Sequence, residues 1–397
     1  MHILALNTGS SSLKFAVYDV GCDAPDGRAP LRHGAIERIG GARSVVRVGG
    51  DGEPQTSAIP VHDQHAALEW IASDLEREHF WGKIEAVGHR VVHGGTAYRQ
   101  PVRITPAVRD ALGALIPLAP RHLPDELSAV DAMTRLAPWL PQIACFDTAF
   151  HRDLPIEARL YGIPRALAED GLLRYGFHGL SYEYVVHELR TRDALGDRTV
   201  VAHLGSGASM AALRDGRSVD TSMGFTPIGG FTMGTRSGDL DPGILLYLLR
   251  ERSLSVDEVG AMVTESGGLL GLSGTSSDMR DLLARSGTDR RAAEAVAVFC
   301  YQVRRFLGAY VAALGGLDTL VFTGGIGENS SEIRARICNA LDCFGIRIDE
   351  KRNAANAGTI SANGTGVEVH VIRTNEELMI ARHTARIVET EMGDDHD

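Results

Sequence analysis

Three short segments combine glycine with hydrogen-bonding side chains at points where strands should end. Asn7-Thr8-Gly9-Ser10-Ser11-Ser12 and His203-Leu204-Gly205-Ser206-Gly207 read as the tips of two hairpins, and Gly324-Gly325-Ile326-Gly327-Glu328-Asn329 runs from a strand into a helix. Backbone N–H groups in such turns can approach an anion closely because no Cβ intervenes, and together they form a positive concavity suited to phosphate. Any one of the three reads equally as an ordinary turn. Three in one chain, two of them related by a repeat, point to phosphate.

Cations and a carboxylate accompany these turns. Arg90 in GHRVVHGG, Arg236 in MGTRSGDLDPG and His178 in RYGFHGLS lie among glycines at strand or helix ends. A guanidinium fork fits a planar phosphoryl group and stabilises charge spread over its equatorial oxygens. Singly, each arginine reads equally as a solvated surface charge and the histidine as a packed or capping residue. Asp147 ends a short apolar strand, where α/β sheets usually place site residues, with a helix N-cap as the rival reading. The standard signatures GxxxxGK[ST], GxGxxG after a strand, HExxH and GxSxG are absent.

The elements that must hold these residues alternate between strand and helix. ILALNTGSSSLKFAVYDVG reads as an apolar strand, a polar tip, and a second strand in which Leu13, Phe15 and Val17 alternate with Lys14, Ala16 and Tyr18. TVVAHLGSGASMAALRDGR repeats the plan. Gly9 aligns with Gly205, Ser10 with Ser206, Ala16 with Ala212 and Asp19 with Asp215, all 196 residues apart, which fits a duplicated domain. Helical spacing is expected over 62–80, from Thr105-Pro106 to about Ile116, from Pro124, over 181–192 with Ser181 as cap, over 242–252, 256–265, 278–284 and 289–314, and after Thr374. The fold class is therefore α/β with mixed sheets.

Composition bounds the remaining readings. At 397 residues the chain has the length of two or three domains, and its 44 % apolar and 23 % charged residues are those of an ordinary globular protein. Its 45 glycines, about 11 % against a usual ~7 %, are the outlier. A net charge of −11 argues against gripping nucleic acid or an anionic membrane through the overall field. Five cysteines without a CxxC read as reduced thiols rather than a disulfide framework. MHILALN is not a secretory signal, and the uncharged apolar run 306–317 is too short for a membrane span, so a cytoplasmic protein is expected.

LNTGSSSLKF, GHRVVHGG, CFDTAFH, RYGFHGLSYEY, HLGSGAS, DTSMGFTPIGGFTMGTRSGDLDPG, SSDMRDL, FTGGIGEN and TNEELMIAR, in this order over nearly the full chain, resemble the acetate kinase family. The resemblance implies a duplicated, two-lobed, actin-like ATPase fold with ribonuclease H-like domains and a nucleotide cleft between the lobes. It implies a first lobe over 1–150, rejoined by a C-terminal helix at 384–397. The second lobe, 151–383, would carry the nucleotide site and a homodimer interface, for which the apolar stretch 299–317 is one candidate and the core its rival destination. The activity implied is reversible transfer of the ATP γ-phosphoryl to acetate, giving acetyl phosphate and ADP, with propionate or butyrate as alternative acids. A non-metabolic ATPase module of the same superfamily is the reading from another class.

Residue by residue, the resemblance assigns Asn7 and Glu376 to magnesium, with manganese as a substitute and Glu377 as a neighbour able to take the role. Ser10, Ser12 and Lys14 match the phosphate-proximal hairpin. His203, Leu204, Gly205, Ser206 and Gly207 would face the phosphates, Asp278, Met279 and Arg280 the adenosine, and Gly325, Ile326, Gly327, Glu328 and Asn329 the nucleotide from another side. Arg90 and Arg236 match the arginines on the acyl and phosphoryl groups, and His122 and His178 the active-site histidines. Val92, Phe177 and Pro227 match the methyl pocket. Asp147 matches a carboxylate usually described as a proton donor or acceptor. An acetate carboxylate, with a pKa near ~4, needs no general base at neutral pH, so Asp147 is expected to orient instead. Three positions depart from the family's pattern: Arg121 for a leucine at the acyl pocket, Ser206 for an asparagine, and Leu123 for an asparagine.

Overall fold

The computed structural model describes residues 1–9, 11–21, 29–41, 43–50 and 53–394. Ser10, assigned above to the phosphate turn, lies outside the described residues. Two compact units are present, Met1–Phe150 with Asn375–Asp397, and His151–Thr374. The sequence reading placed the return to the first unit nine residues later, at 384.

The first unit is built on an eight-stranded sheet. Its strands are β1 (His2–Gly9), β2 (Ser12–Asp19), β3 (Arg32–Glu37), β4 (Ser44–Gly49), β5 (Gln55–Ile59), β6 (Ile84–Val91), β7 (Val102–Arg103) and β8 (Gln142–Phe146), in the order β5-β4-β3-β2-β1-β6-β8-β7. β1, β6 and β8 run parallel, and β2 to β5 continue from β1 as an antiparallel meander. Side chains alternate between the faces with a period of two. Leu4, Leu6, Leu13, Phe15 and Val17 point to one face, where they pack with Ile71 and Leu75 of helix Gln64–Arg77 and Met133 of helix Leu123–Leu136. The opposite face carries Ile3, Ala5 and Asn7 of β1 and Gly88 and Arg90 of β6. It is covered by the C-terminal helix Glu376–Asp394, which approaches so closely that a Cβ at Gly88 would overlap Thr384 Oγ1 and Ile380.

The second unit repeats the central five strands. β9 (Arg198–Leu204), β10 (Ala208–Arg214), β11 (Arg217–Thr221), β12 (Thr319–Thr323) and β13 (Glu368–Val371) form a sheet of order β11-β10-β9-β12-β13, matching β3-β2-β1-β6-β8 in order and direction. Ala5 pairs with Ala16 and Val201 with Ala211, so the first strands of the two hairpins correspond at an offset of 196 and the second strands at 195. The constant offset read from the sequence is corrected to that extent: Leu204 and Ala208 are the equivalents of Thr8 and Leu13, so the second tip is one residue shorter than the first. Helix Arg290–Leu314 buries Phe299, Val303, Leu307 and Leu314 along one stripe, so the apolar stretch belongs to the core.

Several strands went unread in the sequence. β5 is exposed along nearly its whole length and offers no apolar alternation, while β7, β11 and β13 are two, five and four residues long. The expected Ser181 cap is also corrected. The helix is Gly179–Thr191 with His178 at its N-cap, and the buried Ser181 side chain is bonded to His203 and Thr374.

Candidate active site

In the first unit the site residues gather at the C-terminal ends of parallel strands, where an α/β sheet leaves a crevice. Asn7 lies near the end of β1, Arg90 near the end of β6, and Asp147 opens the 3-10 turn Asp147–His151 that follows β8. Asn7 sits directly opposite Lys14 in the β1–β2 ladder, so the two side chains share the face covered by the C-terminal helix. Asn375 Oδ1 accepts the Leu378 N–H at 3.0 Å and the Tyr18 hydroxyl at 2.9 Å, which fixes the first turn of that helix. Glu376 and Glu377 follow at once, and the Asn7 amide nitrogen donates to Glu376 Oε2 at 2.8 Å and Glu377 Oε1 at 3.1 Å. Lys14 and Glu377 line one groove of about 460 Å³ with Tyr18, His33 and Arg47.

Arg90 is the hub of this group. Its Nη2 donates to Asp147 Oδ2 at 2.5 Å, its Nε to Asp147 Oδ1 at 3.1 Å, and its Nη1 to Asn7 Oδ1 at 3.3 Å. Burial alone would lower the Arg90 pKa, but Asp147, Glu376 and Glu126 more than offset it and raise it above the ordinary guanidinium value. The cation is therefore fixed. Val92, two residues on, is 2 % exposed and donates its N–H to Glu126 Oε2 at 2.9 Å. His122 stands at the N-cap position of helix Leu123–Leu136, beside the buried Leu123 and the exposed Arg121.

Glu126 was missed by the sequence reading. Burial pushes its carboxyl up to about 8, Asp147 and Asp125 push the same way, and Arg90 and the Val92 N–H hold it down. Its Oε1 is buried with no hydrogen-bond partner among the described residues. The signal was present: Leu123, Leu127, Val130 and Met133 mark the buried stripe of this helix, and Glu126 falls on it.

In the second unit, His178, His203 and Arg236 converge on the Gly205–Gly207 turn. His178 adopts φ 59°, ψ 26°, a left-handed conformation that few non-glycine residues take and that clusters at functional sites. Its ring stacks on His203 with centroids 4.3 Å apart. A Cβ built on Gly207 would stand 3.0 Å from Arg236 Nη2 and 3.4 Å from His178 Nε2, so a bare backbone lets both approach. Arg236 Nη1 donates to the Pro227 carbonyl at 2.7 Å, tying the arginine to a residue of the expected methyl pocket, and Phe177 is buried immediately before His178. Ser206 is exposed at the tip, and its carbonyl accepts the Gly234 N–H at 3.1 Å.

The nucleotide stretches are less uniform. Asp278 caps helix Met279–Arg285 by accepting the Arg280 N–H at 2.8 Å and pairs with the exposed Arg280 guanidinium, while Met279 is buried. Gly324 to Asn329 is itself a helical turn, with Gly325 exposed, Gly327 buried and Ile326 between. Gly324 takes φ +76°, and a Cβ there would meet the Leu204 backbone at 2.8 Å, so this turn packs on the end of β9. Glu328 Oε1 accepts the N–H groups of Gly324 at 2.9 Å and Thr374 at 3.0 Å, and Asn329 donates to the Gly325 carbonyl at 2.9 Å. Both side chains are thus engaged in holding the turn.

Comparison with known proteins agrees along the whole chain. Residues 2–382 match the family described as the acetokinase family. An acetate kinase of Rhodopseudomonas palustris is 47 % identical over 98 % of both chains, and one of Methylocella silvestris 42 % identical over 98 % of both. Among solved structures, an acetate kinase of Porphyromonas gingivalis superposes with a TM-score of 0.86 at 37 % identity, covering 98 % of this chain and 99 % of that one. A propionate kinase of Francisella tularensis superposes with a TM-score of 0.90 at 36 % identity, covering 97 % and 99 %. From its strand-end residues to its full-length likeness to these enzymes, the chain belongs to the acetokinase family.

Proposed function

We propose that the protein is an acetate kinase, moving the γ-phosphoryl of ATP reversibly to acetate to give acetyl phosphate and ADP. The observation that carries this reading is the buried Arg90 guanidinium, fixed as a cation beside Val92 by Asp147 and Asn7. A small carboxylate with a short apolar tail needs such a cation next to an apolar wall. The acetate oxygen attacks the γ-phosphorus directly, and the bond from that phosphorus to the ADP oxygen breaks. Acetate is already ionised at neutral pH, so no side chain has to remove a proton. In this reading Arg90 holds the acyl group, Val92, Phe177 and Pro227 the methyl, and His122 the same substrate. Arg236 and His178 stabilise the phosphoryl in transit, Ser12, Lys14 and the 203–207 turn the phosphates, and Asp278 to Arg280 and Gly325 to Asn329 the nucleotide.

The acidic pair fits magnesium. Among the described residues no three of His, Cys, Asp and Glu form a metal-binding cluster. Magnesium, however, usually takes one or two carboxylates and leaves its other positions to phosphate oxygens and water. Glu376 and Glu377, with the Asn7 amide oxygen, supply that hard-oxygen set, and manganese is chemically compatible. When bound, the ion would neutralise phosphate charge.

A second copy of the chain is the partner we infer. Helix Pro242–Glu251 is apolar yet buries no residue, leaving Ile244, Leu246 and Tyr247 about half exposed, as a homodimer face would. No described helix is long and apolar enough to cross a membrane, and we place the enzyme in the cytoplasm with its ATP and acetate.

Trapping acyl phosphate as hydroxamate from Mg-ATP and acetate tests the reading. Product from acetate is expected; no product from any short-chain acid would overturn it. The propionate kinase likeness makes a longer acid the second reading. A series from acetate to butyrate decides between them.

A further inference from the structure

Two hydroxyl relays stand behind the stacked imidazoles of the second unit. Nδ1 of His178 lies 2.8 Å from Ser209 Oγ, which is bonded in turn to the Tyr182 hydroxyl. Nδ1 of His203 lies 2.8 Å from Ser181 Oγ, which accepts the Thr374 hydroxyl at 2.9 Å. Ser181, Ser209 and Tyr182 are all buried. Both rings are thus held from behind through the same nitrogen by a serine, and each serine is backed by a second hydroxyl.

A hydroxyl has one proton to give. Thr374 gives its proton to Ser181, which leaves the Ser181 proton for His203 Nδ1. In the other relay Tyr182 is the more acidic alcohol and so the stronger donor, which leaves the Ser209 proton for His178 Nδ1. An imidazole that accepts at Nδ1 carries its own proton on Nε2. The stacking argues the same way. Two imidazolium rings with centroids 4.3 Å apart, and Arg236 also over Gly207, would repel one another, whereas two neutral rings would not.

We propose that Tyr182 with Ser209, and Thr374 with Ser181, are positioning pairs that lock His178 and His203 as neutral Nε2–H tautomers, presenting two uncharged donors to the phosphate-binding turn. His178 Nε2 already lies 3.4 Å from the Cβ position of Gly207, next to Arg236 Nη2. The turn then meets a transferring phosphoryl with one fixed cation and two preorganised neutral donors. Donors oriented in advance need no reorganisation as charge develops.

The test uses the full chain labelled with 15N in its histidines. Long-range 1H–15N spectra distinguish the two neutral tautomers from each other and from imidazolium, with His178 and His203 assigned by single His→Gln replacements. The Nε2–H pattern for both rings at neutral pH is expected. An Nδ1–H or imidazolium pattern for either would overturn the proposal. Tyr182→Phe removes one oxygen, and with it the proton that keeps Ser209 a donor toward His178. His178 should then shift toward Nδ1–H while His203 keeps its pattern, and kcat should fall about tenfold with the KM values for ATP and acetate within twofold. Ser181→Ala should act in the mirror sense on His203 and serves if Tyr182→Phe does not fold. An unchanged His178 signal in folded Tyr182→Phe, or an unchanged His203 signal in folded Ser181→Ala, would overturn the assignment. The kinetic arm rests on the acetate kinase reading, whereas the spectra require no turnover, so the two can fail separately.

Discussion

Arg90 Nη2 and Asp147 Oδ2 meet at 2.5 Å, at the ends of the neighbouring parallel strands β6 and β8, with the Asp147 side chain 1 % exposed. A carboxylate held on both Nε and Nη2 of a buried guanidinium is committed to positioning that group. Asp147→Asn should keep the packing but loosen Arg90, lowering kcat about 10²-fold and raising the acetate KM. The shape of the pH–rate profile should survive. Loss of one limb of the profile would instead assign Asp147 a proton-transfer role.

Glu126 should impose a pH dependence on stability. Its folded pKa of about 8 lies above the ordinary carboxyl value of 4.5, so between these values the folded chain binds a proton that the unfolded chain has released. Stability therefore falls as pH rises from about 4.5 to about 8, by at most on the order of 5 kcal/mol. Urea unfolding of Glu126→Gln at pH 6.5 and pH 8, above the range in which buried histidines act, should show a flatter dependence than the parent chain. The buried His89 and His151, each lowered to about 4 by burial, act on the acid side, where stability is lost as pH falls from 6.5 through 4.

Arg121 should have little influence on acid choice. It is exposed, which matches a cation reaching solvent rather than one aimed into an acyl pocket. Turnover with acetate, propionate and succinate should keep the same ranking in Arg121→Leu, each rate changing less than about threefold. A parent enzyme preferring succinate, with the preference lost in the variant, would show an inward cation.

The Pro242–Glu251 helix should carry self-association. Leu246→Asp places a charge on its exposed apolar surface without disturbing a buried residue of the unit. Sedimentation should show the parent chain as a dimer and the variant as a monomer with an unchanged far-ultraviolet circular dichroism spectrum. A monomeric parent chain would remove the proposed interface.

The polar turns were legible because they are short runs of glycine and hydroxyl residues between apolar strands, and the structure places them at strand ends. The partnership of Arg90 with Asp147 was not legible, since 57 residues separate them and only the parallel pairing of β6 with β8 brings them together. Ser181 misled because a serine before an apolar run looks like a cap, whereas the helix starts two residues earlier at Gly179, after a left-handed histidine. Glu126 was readable from helical periodicity, as an acid in an apolar stripe. β3 to β5 were missed for the opposite reason, because an edge meander with one solvated face carries only part of the alternation that marks a strand.

The close fit of Gly88 against Ile380 and Thr384 sets a schedule for the nascent chain. β1, β6 and β8 leave the ribosome before the second unit, but the helix that covers their second face follows only after the 224 residues from His151 to Thr374. At roughly 5–20 residues per second that interval is on the order of 10 to 45 s. Throughout it the first unit must hold an uncovered apolar sheet, and a message truncated after Thr374 would yield a first unit that can never close.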